Sequence, residues 1–328
     1  MKDTDYLTIS ARVRVLENSL LTRERRERMV DARSDEEALK VLTECGYAEP
    51  EDLSANAVNA VLSQARAALF DDLAKAVPQP SLVDVFRIKY DYHNAKALLK
   101  AEALGENAKR LLMPGGRYEP GTLAEDFHRG DMEDFSETFR TAVDAAQDAL
   151  AEEKDPQKSD LILDRACYAE MAEAAQVCGS EFLRGYVRLS VDTVNLRTLV
   201  RCARMGVPAA QAAKDLLSGG NVDIQTLTDA NKEAWAKLFP AELHKAAEMG
   251  TAAAIPGGES LTAFERSCDN ALVAYLSQAK RVPFGEQPVV GYLCAREAEA
   301  TAIRTILSLR KAGATAETIR ERLRESYV

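Results

Sequence analysis

Residues 91–99 read Asp91-Tyr92-His93-Asn94-Ala95-Lys96-Ala97-Leu98-Leu99, and residues 192–200 read Asp192-Thr193-Val194-Asn195-Leu196-Arg197-Thr198-Leu199-Val200. Aligned at an offset of 101 residues, the two stretches share an aspartate, an asparagine, a cation and two aliphatic residues, and Gly105 falls opposite Gly206. Each stretch then leads to an aliphatic pair and a Gly-Gly dipeptide, with Thr-Leu six positions after the second glycine. These coincidences indicate an internal repeat.

A third copy of the repeat follows at a further offset of 107 residues. Glu299 takes the aspartate position, residues 304–307 read Arg-Thr-Ile-Leu, and Gly313 falls opposite Gly206. This copy has Ala302 where the other two have asparagine. In all three copies the glycine suits the left-handed position that follows a helix. The sequence therefore predicts three homologous helical units of about 100–110 residues each.

Helical periodicity extends beyond the repeats. From Ser54 to about Val77 the apolar residues recur every three or four positions, and Pro78 and Pro80 are expected to end that helix. Ser81, with an acid three positions on, is a variant capping box that would start the next helix. Glycine (17) and proline (11) are sparse, whereas an all-β chain would need many more turn residues. We predict an all-α protein.

The repeat also suggests how the chain is divided. We predict helical repeat domains at residues 1–121, 122–225 and 226–328, although the N-terminal helices could pack with the third domain instead. A length of 328 residues suits two or three domains.

Composition excludes several classes of function. With 42 Lys and Arg against 52 Asp and Glu, the formal net charge is −10, which disfavours nucleic-acid binding because phosphate backbones are repelled. No apolar run approaches the roughly 20 residues that span a bilayer, so we expect no transmembrane insertion. The charged start predicts no secretory signal. Six widely spaced cysteines predict buried free thiols in a reducing compartment.

Motifs that carry chemistry are missing from the sequence. It has no nucleotide-binding glycine loop, no zinc-protease or serine-hydrolase motif, and only three histidines. Of these, His93 lies inside the repeat, where the other copies hold Val194 and Thr301, and we interpret it as a partly buried structural residue. We predict no catalytic residue, no bound cofactor and no metal ligand.

The polar residues that recur in the repeat are the candidate site. They admit two interpretations: an acidic and amide ligand set, or a satisfied polar network in the core of each unit. The second is favoured, since a catalytic group repeated three times would be odd in an enzyme with one active site. Glu297, Glu299 and Arg296 are interpreted as residues of a first helical turn. The repeat-signature residues are Asp91, Asn94, Lys96, Asp192, Asn195, Arg197, Glu299 and Arg304.

Several stretches of the sequence carry a resemblance that covers essentially the whole chain. The most specific are the Tyr-Asp-Tyr-His-Asn-x-Lys motif at residues 90–96 and the Ile-Arg-x-Arg-Leu motif at 319–323. The others include Ala-Arg-Val-Arg at 11–14, Val-Asp-Thr-Val-Asn-Leu-Arg at 191–197 and Pro-Phe-Gly-Glu-Gln-Pro-Val-Val-Gly-Tyr at 283–292. Together these stretches resemble a known family, the C subunit of the V/A-type ATP synthase, whose eukaryotic counterpart is the d subunit of the vacuolar ATPase.

The resemblance implies a fold and a role. The fold would be a funnel of three similar helical domains in a pseudo-threefold arrangement. The protein would be a non-catalytic central-stalk subunit, peripheral to the membrane on its cytoplasmic side. It would cap the membrane rotor ring of proteolipid subunits and receive the lower end of the central shaft, made of the D and F subunits, during ATP-linked transport of protons or sodium ions.

Two other functions stay open at this point. One is a soluble helical scaffold or adaptor with other partners, although units of this length exceed the 33–47 residues usual for helical solenoids. The other is an all-α enzyme whose site lies around His93 and Asp91.

Overall fold

In the computed structural model, which describes residues 2–52, 54–152 and 154–328, every regular element in these ranges is a helix. The prediction of an all-α protein is therefore confirmed. The α-helices are α1 (Leu7–Leu16), α2 (Arg23–Asp31), α3 (Asp35–Glu44), α4 (Ala55–Ala76), α5 (Ser81–Leu104), α6 (Pro120–Arg129), α7 (Glu137–Glu152), α8 (Pro156–Cys178), α9 (Glu181–Arg204), α10 (Ala209–Ala212), α11 (Ile224–Asp229), α12 (Trp235–Leu238), α13 (Ala241–Ala253), α14 (Leu261–Ser277), α15 (Glu286–Lys311) and α16 (Ala316–Arg322). Short 3-10 helices lie at Asp3–Tyr6, Glu17–Ser19, Ala108–Arg110, Ala213–Asp215, Lys232–Ala234 and Gln278–Arg281.

Local signals set most helix boundaries. The Ser54 hydroxyl accepts a hydrogen bond from the Ala57 N–H at 3.1 Å, which caps α4. The predicted capping box at Ser81 is wrong, because Pro80 already has helical angles (φ −57°, ψ −29°) and Ser81 is the first residue of α5. The fixed φ of proline lets the chain enter the helix one residue earlier than a serine cap would.

The helices that carry the repeat signature are α5, α9 and α15, here called the signature helices. Each is followed by a glycine in the left-handed region, Gly105 at φ 66°, Gly206 at 73° and Gly313 at 73°. A residue with a Cβ would be strained there, and the turn lets the last carbonyls of each helix find partners. The predicted role of these glycines is confirmed.

Buried apolar side chains form three clusters. The first contains α1, the end of α4, α5, α7, α8 and the N-terminal halves of α9 and α15. The second contains the C-terminal half of α9 with α11, α12, α13 and α14. The third contains α2, α3, the first half of α4, the C-terminal half of α15 and α16. The signature helices thus share the first cluster at their N-terminal ends; further along, α9 enters the second cluster and α15 the third, while α5 stays in the first.

Candidate functional site

The signature aspartates hold the loops that follow their helices. Asp91 is fully buried and accepts hydrogen bonds from the backbone N–H groups of residues 117 and 118, at 2.8 and 3.3 Å. Asp192 is equally buried and accepts from residues 221 and 222, at 2.9 and 3.3 Å. The two carboxylates therefore occupy equivalent places, each satisfying donors that would otherwise be buried without partners.

The signature asparagines bind the same loops a few residues earlier. The Asn94 amide donates to the Met113 carbonyl at 2.9 Å and accepts from the Met113 N–H at 2.7 Å. Asn195 makes the same pair of bonds with Leu217, both at 2.8 Å. Ala302 lacks the amide, so the third copy holds its loop through Glu299.

The Gly-Gly dipeptides are explained by this arrangement. A Cβ at Gly116 would collide with the Asp91 Oδ1 atom, and a Cβ at Gly220 would collide with the Asp192 Oδ1 atom. The second glycine of each pair therefore lets the backbone approach the buried carboxylate closely.

Glu299 is the signature carboxylate of the third copy, and two of its three partners lie far away in the sequence. It accepts from the Leu21 N–H, from the Tyr47 hydroxyl at 2.7 Å and from Arg296 at 2.5 Å. The prediction that Glu297, Glu299 and Arg296 lie in a first turn is wrong. Helix α15 begins at Glu286, so these residues are in its middle and point into the protein.

The signature cations pair with the helix that packs alongside, and not with the acid five positions earlier. The bonds are Lys96 to Asp164 on α8 at 2.6 Å, Arg197 to Asp269 on α14 at 2.5 Å, and Arg304 to the side-chain oxygen of Asn59 on α4 at 2.8 Å. Asp164 and Asp269 lie on the helices that immediately precede the next signature helix in the chain. Asn59 lies on α4, which precedes the first signature helix, so the three cations play corresponding parts in the packing.

Burial changes the acidity of the signature carboxylates. It raises the pKa of Asp91 to about 6, although the Arg117 guanidinium and two backbone N–H groups counteract it. Burial also raises the pKa of Asp192 and of Glu299. Arg117 in turn bridges Asp91 and Glu170, with its Nη2 atom 2.8 Å from Glu170. No pattern in the sequence pointed to Arg117 or Glu170.

The signature helices meet two residues before the buried acids. Lys89 on α5 pairs with Glu297 on α15, and the Tyr90 hydroxyl donates to Glu297 at 2.8 Å. The Phe86 ring stacks on Tyr186 of α9 at 5.8 Å. Burial would lower the pKa of Lys89, but the Glu297 carboxylate outweighs it and the pKa is raised. The repeat offsets place Lys89, Ser190 and Glu297 in one register, a signal that could have revealed this meeting point.

Three cavities surround the meeting point, and Lys89 lines all of them. Their volumes are about 290, 110 and 290 Å³. Thr301 of α15 lines the first two, and Val194 of α9 lines the third. The space lies near the point where α9 and α15 leave the first cluster, in which α5 remains.

His93 differs from its predicted environment. It is exposed and not partly buried, with its Nε2 atom 3.2 Å from the Leu111 carbonyl oxygen. Within residues 2–52, 54–152 and 154–328, the acids, histidines and cysteines form no group arranged to hold a metal ion.

None of the helices in the described ranges is long and apolar enough to cross a bilayer.

Comparison with known proteins gives one family for the chain. The model of the ATP synthase (C/AC39) subunit family matches residues 9–322. The C subunit of the V-type sodium ATPase of Enterococcus hirae is 23% identical over 98% of this chain and 99% of its own length. The C subunit of the V-type ATP synthase of Thermus thermophilus is 27% identical over 92% and 93%, and the C subunit of the A-type ATP synthase of Halobacterium salinarum is 26% identical over 84% and 80%.

These matches confirm the resemblance inferred from the repeat motifs and cover nearly the whole chain. Since the family model spans all three signature helices, the chain belongs to the ATP synthase (C/AC39) subunit family, the C subunits of V/A-type ATP synthases, which are structural and not catalytic subunits.

Proposed function

We propose that this protein is a central-stalk element that couples the shaft, made of the D and F subunits, to the membrane rotor ring on the cytoplasmic side during proton or sodium transport. Its task would be mechanical: to bind two partners and to keep their orientation while torque passes between them. Such an element needs stiffness and complementary faces, and does not need a reactive group.

One observation supports this proposal above the others. The three signature helices share the first cluster over their N-terminal halves; over their C-terminal halves α9 runs into the second cluster and α15 into the third, while α5 stays in the first, and cavities lie between them around Lys89. Helices that converge at one end and separate at the other form a socket, and a socket suits the end of a shaft.

We propose a pseudo-threefold funnel of three units on the same grounds. The predicted boundaries at residues 121 and 225 stay predictions. The packing supports a division in which α5–α8 form one unit, α9–α14 a second, and α15 with α2, α3 and α4 the third. In each unit a signature acid holds a loop through backbone N–H groups, and that loop of the third unit comes from residues near Leu21.

We also propose a purely structural role for the signature polar residues. Asp91, Asn94, Asp192 and Asn195 are fully buried, and their bonds go to the protein's own loops. Side chains committed in this way have little capacity left for a ligand. Their substitution should therefore weaken folding before it affects partner binding.

The proposal is tested by binding to purified partners. We expect the protein to co-elute with a D–F shaft complex and, separately, with detergent-solubilised rotor ring. Thr301→Trp would place an indole in the cavities beside Lys89, so we expect it to weaken shaft binding at least tenfold while ring binding is retained.

A matched control variant distinguishes blocking of the shaft site from a general effect of a larger side chain. Thr8→Trp adds the same side chain at an exposed position of α1 and should leave shaft binding unchanged. If the folded wild-type protein bound neither partner, the coupling role would be wrong and a scaffold with other partners would become the better interpretation. Shaft binding that Thr301→Trp leaves unchanged would place the shaft elsewhere on the molecule.

A further inference from the structure

Residues 323–328, here called the closing segment, follow α16 as irregular backbone, contribute to two of the clusters and contact α14. Leu323 is buried in the third cluster, and Tyr327 is buried in the first. Between them, Arg324 pairs with Asp269 of α14 at 2.8 Å, which ties the segment to the helix that carries the second cluster. Six residues thus connect parts of the molecule that belong to separate cores.

Tyr327 packs against two small residues, Gly291 and Ala279, here called its seat. Its hydroxyl lies where a Cβ at Gly291 would be, within 2.6 Å, and Ala279 lies against the same point. The Lys280 ammonium stands 4.9 Å from the centre of the ring, a favourable cation–π contact. A glycine within α15, here in its second turn, lowers helix propensity, so its presence is explained by the ring that it admits.

The closing segment also separates two cavities. The inner one, of about 290 Å³, reaches Lys89 and Cys294, and the outer one, of about 500 Å³, lies against α13 and α14. Leu323, Arg324 and Glu325 line both. Movement of these residues would join the outer cavity to the space between the signature helices.

Side chains of other helices hold the backbone of the closing segment through hydrogen bonds at separate points. The Glu325 N–H donates to the Asn270 side chain at 2.9 Å, and the Arg324 carbonyl accepts from Arg26 at 2.7 Å. A stretch held in this way opens at a lower free energy than the helices beneath it, because few backbone bonds break together.

We propose that the closing segment is a releasable strap, seated by Tyr327 against Gly291, which forms the wall of the inner cavity on the side of Cys294 and the outer cavity, and can open without unfolding the helical cores. Closed, it holds α14 against α15 and α2. Open, it joins the inner cavity to the outer one. An effect of the strap on shaft binding rests on the proposed function, but the opening itself does not.

The test uses the thiol of Cys294, which lines the inner cavity and is 7% exposed. In the full-length protein, Tyr327→Ala removes the ring and Gly291→Ala obstructs its seat. We expect iodoacetamide to label Cys294 at least tenfold faster in both variants. Tyr327→Phe is the matched control: it keeps the ring over Lys280 and removes only the hydroxyl, which contacts Glu17 at 3.4 Å, so its labelling rate should stay much closer to that of the wild type than to that of Tyr327→Ala.

The other buried thiols report on unfolding in the same experiment. Cys45 lies in the third cluster and Cys268 in the second, and their rates should stay at the wild-type values. Equal Cys294 rates in the wild type and in folded Tyr327→Ala would overturn the strap. A common acceleration at all three cysteines would overturn it too, since the segment would then open only with the cores.

Binding of the D–F shaft to the same variants separates the two proposals. We expect the shaft to leave Tyr327→Ala at least fivefold faster than the wild type. Faster Cys294 labelling together with an unchanged shaft dissociation rate would show a strap that does not control the shaft. If the wild type failed to bind the shaft while labelling accelerated as expected, the proposed function would be wrong and the strap would stand.

Discussion

At the scale of residues, buried carboxylates fix the conformation of loops, as turn motifs do in other proteins. Asp91 and Asp192 each satisfy two successive backbone N–H groups of a loop about 25 to 30 positions away, and a neighbouring glycine leaves room for the contact. Removing such a partner leaves donors buried without acceptors, which costs about 1–3 kcal/mol for each group.

The ionisation of Asp91 gives a pH prediction. Because its pKa is raised to about 6 in the folded state, that state binds the proton more tightly than the unfolded chain does. The contribution of Asp91 to the unfolding free energy therefore rises as the pH falls from 7 through 6. Between pH 7 and pH 5 the wild type should gain about 1 kcal/mol relative to Asp91→Asn in urea unfolding.

A control on the exposed face of α7 isolates this effect. Asp144→Asn should leave the pH dependence of the wild type unchanged. An unfolding free-energy difference between wild type and Asp91→Asn that is the same at both pH values would contradict the prediction.

The glycine contact gives a steric prediction. Gly220→Ala would press a methyl group against the Asp192 carboxylate, and we expect the unfolding free energy to fall by about 1–3 kcal/mol. Ser218→Ala, at an exposed position two residues earlier, should change it by less than about 0.5 kcal/mol. Equal stability of the two variants, measured by chemical denaturation, would mean that the loop moves aside freely.

At the scale of elements, the signature helices differ from ordinary amphipathic helices. Helices α9 and α15 pass from the first cluster into another one, and α5 is packed between α4, α7 and α8, so apolar residues face several directions and one-sided periodicity is lost. Polar residues on these helices pair with one another where two helices cross, as Lys89 and Glu297 do between α5 and α15.

That crossing gives a prediction for a double-mutant cycle. Lys89→Met and Glu297→Gln should show a coupling free energy of about 1 kcal/mol or more, because the Glu297 carboxylate is mostly buried. The matched pair Lys100 and Asp160, between α5 and α8, is more exposed and should show about 0.5 kcal/mol or less. A coupling no larger than that of the exposed pair would show that the crossing is held by apolar packing alone.

At the scale of the whole molecule, the cores are linked by helices that cross between them. Helix α9 joins the first cluster to the second, and α15 joins the first to the third. Bending either helix would disturb two cores at once, which is a physical route to the stiffness that a coupling element needs.

This linkage predicts cooperative unfolding. The one tryptophan, Trp235, is buried in the second cluster and reports on it by fluorescence. Leu42→Ala creates a cavity in the third cluster and should cost about 2–5 kcal/mol. We expect the Trp235 transition and the far-UV circular dichroism transition to shift together. An unchanged midpoint of the Trp235 fluorescence transition in Leu42→Ala would show that the clusters unfold independently.

What could be predicted from the chain alone was local or periodic. Apolar spacing, glycine positions and the repeat offsets depend on neighbours within a few turns, so they indicated the helical class, the ends of the signature helices and the family. The prediction of a capping box at Ser81 was wrong because Pro80 already has helical angles. A proline start and a serine cap are both compatible with this stretch of sequence, and the pattern of residues does not decide between them.

Tertiary packing decided which residues the signature acids and cations reach. Glu299 bonds to Leu21 and Tyr47, which are 278 and 252 positions away. The sequence left open that the N-terminal helices pack with the third unit, but the repeat did not indicate which of their residues Glu299 reaches. Its partners are chosen by which helices share a core, and that depends on the packing of many apolar side chains at once. The strap at Tyr327 depends on the same contacts, because its seat exists only when α15 and residues 278–281 lie together.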